Sequence, residues 1–525
     1  MNYSPQSLAQ FDNLLYPTVL ISLLSALVTA YFLSGRSRQQ PPGPWVLLPG
    51  IGHLLRFAKD PVEQLRTLRK QYGDVFKVYM GTMPVVFISG FDVINGVLHD
   101  RGAEFAHRPP SFIAEKLVSN KGFLNTSGNV WTEQKHNIAR TLRSLSASGG
   151  LLEQYIKSTV NNLTDHLQSV IQKGEGGQVD LTPVVRRSVC SIAFSMAYGR
   201  QLDLDSQLLV SYTDTLDQFL RCMKLAVTTT FIPYIHLLPN DPVGYRKCKQ
   251  LAVVIEMDFV RPELERLAQI HREAQMTCEK KTGETITTAP TLCYAGAYMD
   301  EMNEKIRNNI PTMMSEEHLP KTVSDVIMGS FDTITTTIQW FLIYMTHHLD
   351  VQKKCRQEIH KFMGEDGCDV SDIDRSKLAY TQATIMEVQR VANIGPMPPC
   401  HTSDKDTHIN GYFIPKNTAI MTNMDSLMMG PEVGDDPTEF RPERFLTEDG
   451  RPFYPKWFLP FSTGKRMCPG VSVAKKELLG FVVGLLSRFQ FCAPLVDGNE
   501  ELPSLEGVYG LTKAPQPFKL CIQSV

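Results

Sequence analysis

The chain is 525 residues long, 42% hydrophobic and 21% charged, with ordinary numbers of glycine (35) and proline (33), which excludes a collagen-like, wholly disordered or polytopic membrane protein and leaves a large globular core. Fifty-three Lys+Arg against 55 Asp+Glu give a net charge of −2, so no global field grips nucleic acid and any charged docking face must be local. The eleven cysteines contain no C-x-x-C pair; such an odd scatter is neither zinc spacing nor a disulfide framework, fits a reducing compartment, and assigns most of the thiols to apolar filling.

Residues 14–33 carry no charge over twenty positions, and about twenty helical residues span a bilayer core. Asp12 precedes this run, with no Lys or Arg before it, while Arg36 and Arg38 follow. That asymmetry predicts a signal anchor with a luminal tail (1–35), a basic, Pro-rich hinge (36–44) through Pro41-Pro42-Gly43-Pro44, and a cytosolic domain (45–525). A cleaved signal or a buried core helix is the competing reading. Next, VFKVYM and PVVFIS flank Gly81-Thr82 and predict a β-hairpin. From about 92 to 395 the period is helical, interrupted by loops near 173–178, 279–313 and 364–372.

Within that stretch a helix over about 320–348 has an apolar stripe of Val323, Ile327, Phe331, Ile334, Ile338, Leu342 and Met345. Another face carries Gly329, Thr333 and Thr337, which leaves room for a small molecule, and Thr333 is placed to bond back to the Gly329 carbonyl and bend the helix. A bend in an ordinary core helix fits the same residues. Glu387 and Arg390, at i and i+3, read alone as a solvated pair worth a few tenths of a kcal/mol. YFIP and TAIMTNM then surround Lys416-Asn417 as a second strand pair.

The densest chemistry lies in Phe461-Ser-Thr-Gly464-Lys-Arg466-Met-Cys468-Pro-Gly470, followed by a helical run from about Val471. A cysteine just before a helix is placed to be a thiolate, because first-turn amides and the dipole favour negative charge. Gly464 and Gly470 permit sharp turns and close approach of backbone to a flat ligand, and Arg466 offers a forked cation for a carboxylate. Gly50-Ile-Gly52 lacks the third glycine and the later acid of a dinucleotide site, and Ser462-Thr-Gly464-Lys465-Arg466 lacks the first glycine of a phosphate loop.

The pattern F-x-x-G-x-R-x-C-x-G resembles the haem-binding loop of the cytochrome P-450 family, and the likeness extends to Ala474 and Glu477, to Glu387-Val-Gln-Arg390 and to Phe440-Arg-Pro-Glu-Arg444-Phe445. This resemblance implies a mainly α fold with a minor β-sheet region and a single large catalytic domain. Cys468 takes the place of the axial thiolate on haem b, and Phe461, Gly464, Arg466 and Gly470 that of its surrounding loop. Glu387, Arg390 and Arg444 are implied as a buried structural triad. Trp131 and Lys135 resemble W-x-x-x-R with lysine for arginine, and with Arg108, His401 and Arg466 they are implied as propionate partners. Gly329-Ser-Phe-Asp332-Thr333-Ile334 resembles the family's oxygen-binding segment, with Asp332 and Thr333 as the acid–alcohol pair for proton delivery; Ser330 and Ile334 depart from it, standing where glycine and a second hydroxyl are usual.

The anchor and opening motifs look most like the microsomal, membrane-anchored animal branch of the endoplasmic reticulum, which acts on steroids, fatty acids and xenobiotics. What this implies is a monooxygenase that takes NADPH electrons through a reductase, with cytochrome b5 as a further donor, and Lys135, Lys465, Lys475 and Lys476 as a basic docking patch. Phe112, Phe219, Phe231 and Ile232 give the substrate region a lipophilic character without identifying the substrate. A peroxide isomerase or dehydratase on the same scaffold, and a non-catalytic haem-dependent lipid or gas binder, are the alternative readings.

Overall fold

A computed structural model describes residues 39–46, 48, 50–147, 150–282, 293–363 and 377–525. The expected luminal tail and anchor, and the first residues of the hinge, lie outside the described residues. The helices that frame the site are α1 (Pro61–Tyr72), α2 (Gly128–Leu145), α3 (Leu151–Gln172), α4 (Thr182–Tyr198), α5 (Leu319–His347), α6 (Leu349–Met363), α7 (Ala379–Ala392) and α8 (Val471–Arg488).

Helix α5 is the axis of the molecule. Pro320 occupies its first turn, where the missing N–H costs nothing, and every residue of the predicted apolar stripe is buried. At 29 residues it runs about 43 Å. Among the described residues it alone is long and apolar enough to cross a membrane, yet its surface is consumed by packing on α4, α6, α7 and α8. Its side chains join the largest apolar cluster, with Phe194 of α4, Val388 of α7 and Phe481 of α8.

The first hairpin forms as the sequence predicts: β1 (Val75–Met80) runs antiparallel to β2 (Met83–Ile88) with Met80 opposite Met83. The second differs. β3 (Thr407–Ile409) pairs with β4 (Tyr412–Ile414), and β5 (Ala419–Thr422) crosses to lie parallel to β2. The turn is Asn410-Gly411, both at positive φ (48° and 80°), the dipeptide that a tight hairpin favours; Lys416-Asn417 instead redirects the chain between sheets. Two further departures follow. Tyr294–Arg307 is helical rather than loop, burying Tyr294, Ala295, Tyr298, Met299 and Met302, a helical spacing hidden behind a Thr- and Gly-rich flank. After α8 the chain forms short unanticipated strands, beginning with β6 (Phe489–Cys492), which pairs with the terminal strand Cys521–Ser524. Among the described thiols Cys190, Cys248, Cys293 and Cys355 are buried, but Cys222, Cys400, Cys492 and Cys521 are half-buried and Cys468 is exposed, so apolar filling explains fewer of them than expected.

Candidate functional site

The loop carrying Cys468 is shaped by its own backbone. Ser462 and Gly464 take positive φ (60° and 76°), and the Cys468 amide donates to the Phe461 carbonyl at 3.1 Å, closing the turn. A Cβ on Gly464 would lie 1.6 Å from the Leu98 carbonyl oxygen. Its bareness therefore serves contact with protein backbone rather than with a flat ligand, which corrects the sequence expectation. Gly470 has φ −89°, and a Cβ there would meet only Cys468 Sγ at 3.8 Å, so no clash demands glycine. Cys468 is exposed by surface, yet burial raises its thiol pKa, opposed by the Gly470 amide. Both facts hold if the sulfur borders an internal chamber. The expected stabilisation of thiolate by the helix start is outweighed by that burial; ionisation needs a cation at the sulfur.

Two arginines and a histidine converge beside this loop. The His401 backbone pairs with Ile420 of β5, and Thr402 N bonds the His107 carbonyl, which fixes the Arg108 segment alongside. Arg108 spends Nε on Leu124 O and Nη1 on the carbonyls of Pro399 and Cys400 (3.1, 2.9 and 2.7 Å). Arg466 donates to the carbonyls of Ala106 and Thr126 and stacks on Trp131, 4.0 Å from the ring centre. His401 Nδ1 donates to Phe105 O at 3.0 Å. No carboxylate pairs with these groups among the described residues. Burial, reinforced by the neighbouring Arg108 charge, pushes Arg466 down to about 9 and His401 to about 3, and burial pushes Arg108 down to about 10. Arg466 Nη1 and Trp131 Nε1 are buried donors with no acceptor, an arrangement that costs about 1–3 kcal/mol per group unless a ligand supplies one. Lys135 lies over the Trp131 ring at 5.2 Å and donates to Lys465 O. These residues fit a planar dicarboxylate such as haem, whose propionates would complete every one of the missing partners.

Helix α5 carries the expected acid–alcohol pair. Thr333 Oγ1 donates to Gly329 O at 2.7 Å, the back-bond expected from the sequence, and a Cβ on Gly329 would meet nothing within 4 Å. Asp332 accepts from Thr512 Oγ1 at 2.9 Å; burial raises its pKa, while Thr512 and the Arg186 charge oppose the rise. Ser330 faces Glu477 of α8, whose buried carboxyl is pushed up to about 8 and whose two oxygens lack hydrogen-bond partners. The departure at 330 thus places a hydroxyl against the helix that follows Cys468. Neither Thr512 nor Arg186 was legible beforehand, because a contact across 180 positions leaves no spacing signal.

Behind the chamber, Arg390 grips Glu387 with Nε and Nη2, both at 2.7 Å, with both side chains fully buried. The same guanidinium donates to Met428 O, Pro437 O and Glu439 O. Glu387 also accepts from Arg441 N at 2.8 Å, whereas Arg444 Nε stands 3.5 Å away and unbonded, its other nitrogens held by carbonyls of Asp435 and Asp436. Of the expected basic patch, Lys465 is exposed, but Lys476 is committed to Glu153 at 2.5 Å and Lys475 lies over Tyr454. Phe112 and Phe219 pack with Met223 and Tyr245 in a satellite apolar cluster.

The cytochrome P450 family profile matches residues 41–522. The chain is 29% identical to Cytochrome P450 2D15 of Canis lupus familiaris, over 92% of each chain. It is 30% identical to Cytochrome P450 2D19 of Callithrix jacchus, over 97% of this chain and 99% of that one, and 28% identical to human Cytochrome P450 2U1, over 99% and 95%. The chain belongs to the cytochrome P450 family. It is a haem-thiolate monooxygenase, an oxidoreductase that draws NADPH electrons through a reductase and acts on lipophilic molecules.

Proposed function

We propose that Cys468 is the residue that holds the haem iron, and that Arg108, His401, Arg466, Trp131 and Lys135 hold the propionates. The observation that carries this reading is the anion-free cluster of Arg108, His401 and Arg466 beside the one exposed cysteine among the described residues. Haem ligated by a thiolate supplies reductive oxygen activation, with the sulfur pushing electron density toward O–O cleavage. The chain's own part is to exclude water and to hold protons. Burial raises the Asp332 pKa against the opposing pull of Thr512 and Arg186, Thr512 fixes that carboxyl, and Thr333, oriented by Gly329 O, presents the hydroxyl next to it on α5.

In this reading residues 45–525 form the cytosolic catalytic domain, 36–44 the hinge, and 1–35 a luminal tail with a single span in the endoplasmic reticulum membrane. NADPH–cytochrome P450 reductase and cytochrome b5 are the electron donors, docking where Lys465 and Met467 lie exposed next to the cysteine loop. The substrate is a steroid, fatty acid or xenobiotic. The test is the carbon monoxide difference spectrum of reduced, fully haem-loaded protein: the red-shifted Soret band is expected in the wild type and lost in Cys468→Ser. A band retained by that variant would move the ligand elsewhere.

A further inference from the structure

Cys492 of β6 and Cys521 of the terminal strand stand directly opposite in an antiparallel register. Which type of pair they form follows from their neighbours. Ile522 N donates to Gly176 O at 2.8 Å, and both backbone groups of Phe491 are taken by the Gln352 side chain at 2.9 Å. Ile522 and Phe491 therefore point their polar groups away from each other, and by alternation Cys492 and Cys521 exchange the ladder hydrogen bonds. Such a pair sets its Cα atoms about 5.5 Å apart, inside the roughly 4.4–6.8 Å that a disulfide spans and near its commonest value. Opposed Cβ atoms lie about 4.5–5.5 Å apart, wider than the disulfide mean of about 3.8 Å, so closure must draw the strands together and leaves a reducible bond.

Both sulfurs are free and half-buried. On the same face Gln490 Nε2 approaches Cys492 Sγ at 3.4 Å and Gln523 Nε2 approaches Cys521 Sγ at 3.9 Å; burial raises the Cys492 thiol pKa, and the Gln490 amide opposes the rise. The segment between the cysteines contains the hairpin of Gly507–Tyr509 with Lys513–Pro515. At its turn Thr512 bonds Asp332, and Lys513 O accepts from Trp340 Nε1 at 2.9 Å, both on α5.

We propose that Cys492 and Cys521 are a modification site, a thiol pair that hydrogen peroxide closes into a reversible disulfide clasping the base of the segment that holds Asp332. One thiolate attacks a peroxide oxygen; the O–O bond breaks, leaving a sulfenic acid and releasing hydroxide, which takes a proton. The second thiolate attacks that sulfur, the S–O bond breaks and hydroxide departs to become water. Two thiols and one peroxide give one disulfide and two waters, the sulfurs supplying both electrons.

The experiment treats full-length holoprotein with hydrogen peroxide, alkylates the remaining thiols and digests with trypsin. Cleavage after Arg488, Lys513 and Lys519 places the two cysteines on peptides 489–513 and 520–525. The expected product is a linked pair weighing two hydrogens less than the sum, abolished by a thiol reductant and absent in Cys521→Ser. Recovery of both peptides separately alkylated, or of Cys492 as a sulfinic acid beside alkylated Cys521, overturns the site. Amide exchange across 493–520 should slow several-fold on oxidation of the wild type and stay unchanged in Cys521→Ser; a formed bridge with unchanged exchange overturns the clasp.

Discussion

Replacing Glu387 by Gln removes one charge from a fully buried pair. Arg390 would keep its bonds to Met428 O, Pro437 O and Glu439 O, but its guanidinium, fully buried, would lose the only carboxylate that grips it through two nitrogens. Stranding one partner of a buried pair costs about 3–5 kcal/mol, against a total stability of about 5–15 kcal/mol. Arg444, 3.5 Å from Glu387 Oε1, would lose that partner too but keeps Glu439 at 3.6 Å. The expected phenotype is protein that accumulates poorly and carries little haem, measured as the ratio of Soret absorbance to protein and as the midpoint of urea unfolding. Arg390→Met should be at least as harmful, because three carbonyls of the 428–439 stretch lose their donor together. The double variant Glu387→Leu/Arg390→Met should recover part of the loss, since no unpaired charge remains while the carbonyls stay unsatisfied. Wild-type haem content and unfolding midpoint in Glu387→Gln would refute the reasoning.

Gly464→Ala should abolish holoprotein, since its Cβ would sit 1.6 Å from Leu98 O, whereas Gly470→Ala should load haem normally; haem content in the two variants decides. Glu477, raised from 4.5 to about 8, keeps a proton in the folded state that the unfolded chain has released, so stability falls as pH rises between those values, by up to about 1.4 kcal/mol per pH unit. Glu477→Gln should lack that slope in melting temperature between pH 5 and pH 8, and parallel curves would count against the shift. Thr333→Val removes the hydroxyl bonded to Gly329 O and should lower product formed per NADPH consumed by about 10-fold while leaving haem content unchanged; Thr333→Ser should restore coupling.

Much of this site was legible because its chemistry is local in sequence. The Cys468 loop and the Gly329–Thr333 turn each fit within ten residues, so periodicity and turn chemistry place them; Glu387 and Arg390 read alone as a solvated pair, and only the family resemblance implied their burial. What escaped reading depends on distant partners. Asp332 leans on Thr512, Asp325 accepts from the amides of Phe123 and Leu124, and Lys476 is neutralised by Glu153; none of these leaves a mark within a window. The second hairpin was misplaced for another reason. Lys416-Asn417 and Asn410-Gly411 are both turns, and only the choice of partner sheet separates a hairpin from a crossover. Gly464 was rightly singled out but wrongly explained, because sequence shows that a side chain is missing and not what lies opposite.

The closeness of Arg108 and Arg466, with no counter-anion among the described residues, also bears on supply of the enzyme. Like charges held together in the folded chain favour unfolding; if, as proposed, they hold a dianionic pigment, its binding energy enters the folding equilibrium by mass action. At a free pigment concentration of about 1,000 times the dissociation constant, the gain is about 4.1 kcal/mol. The quantity of enzyme a cell maintains is then set by its porphyrin economy as much as by its messenger.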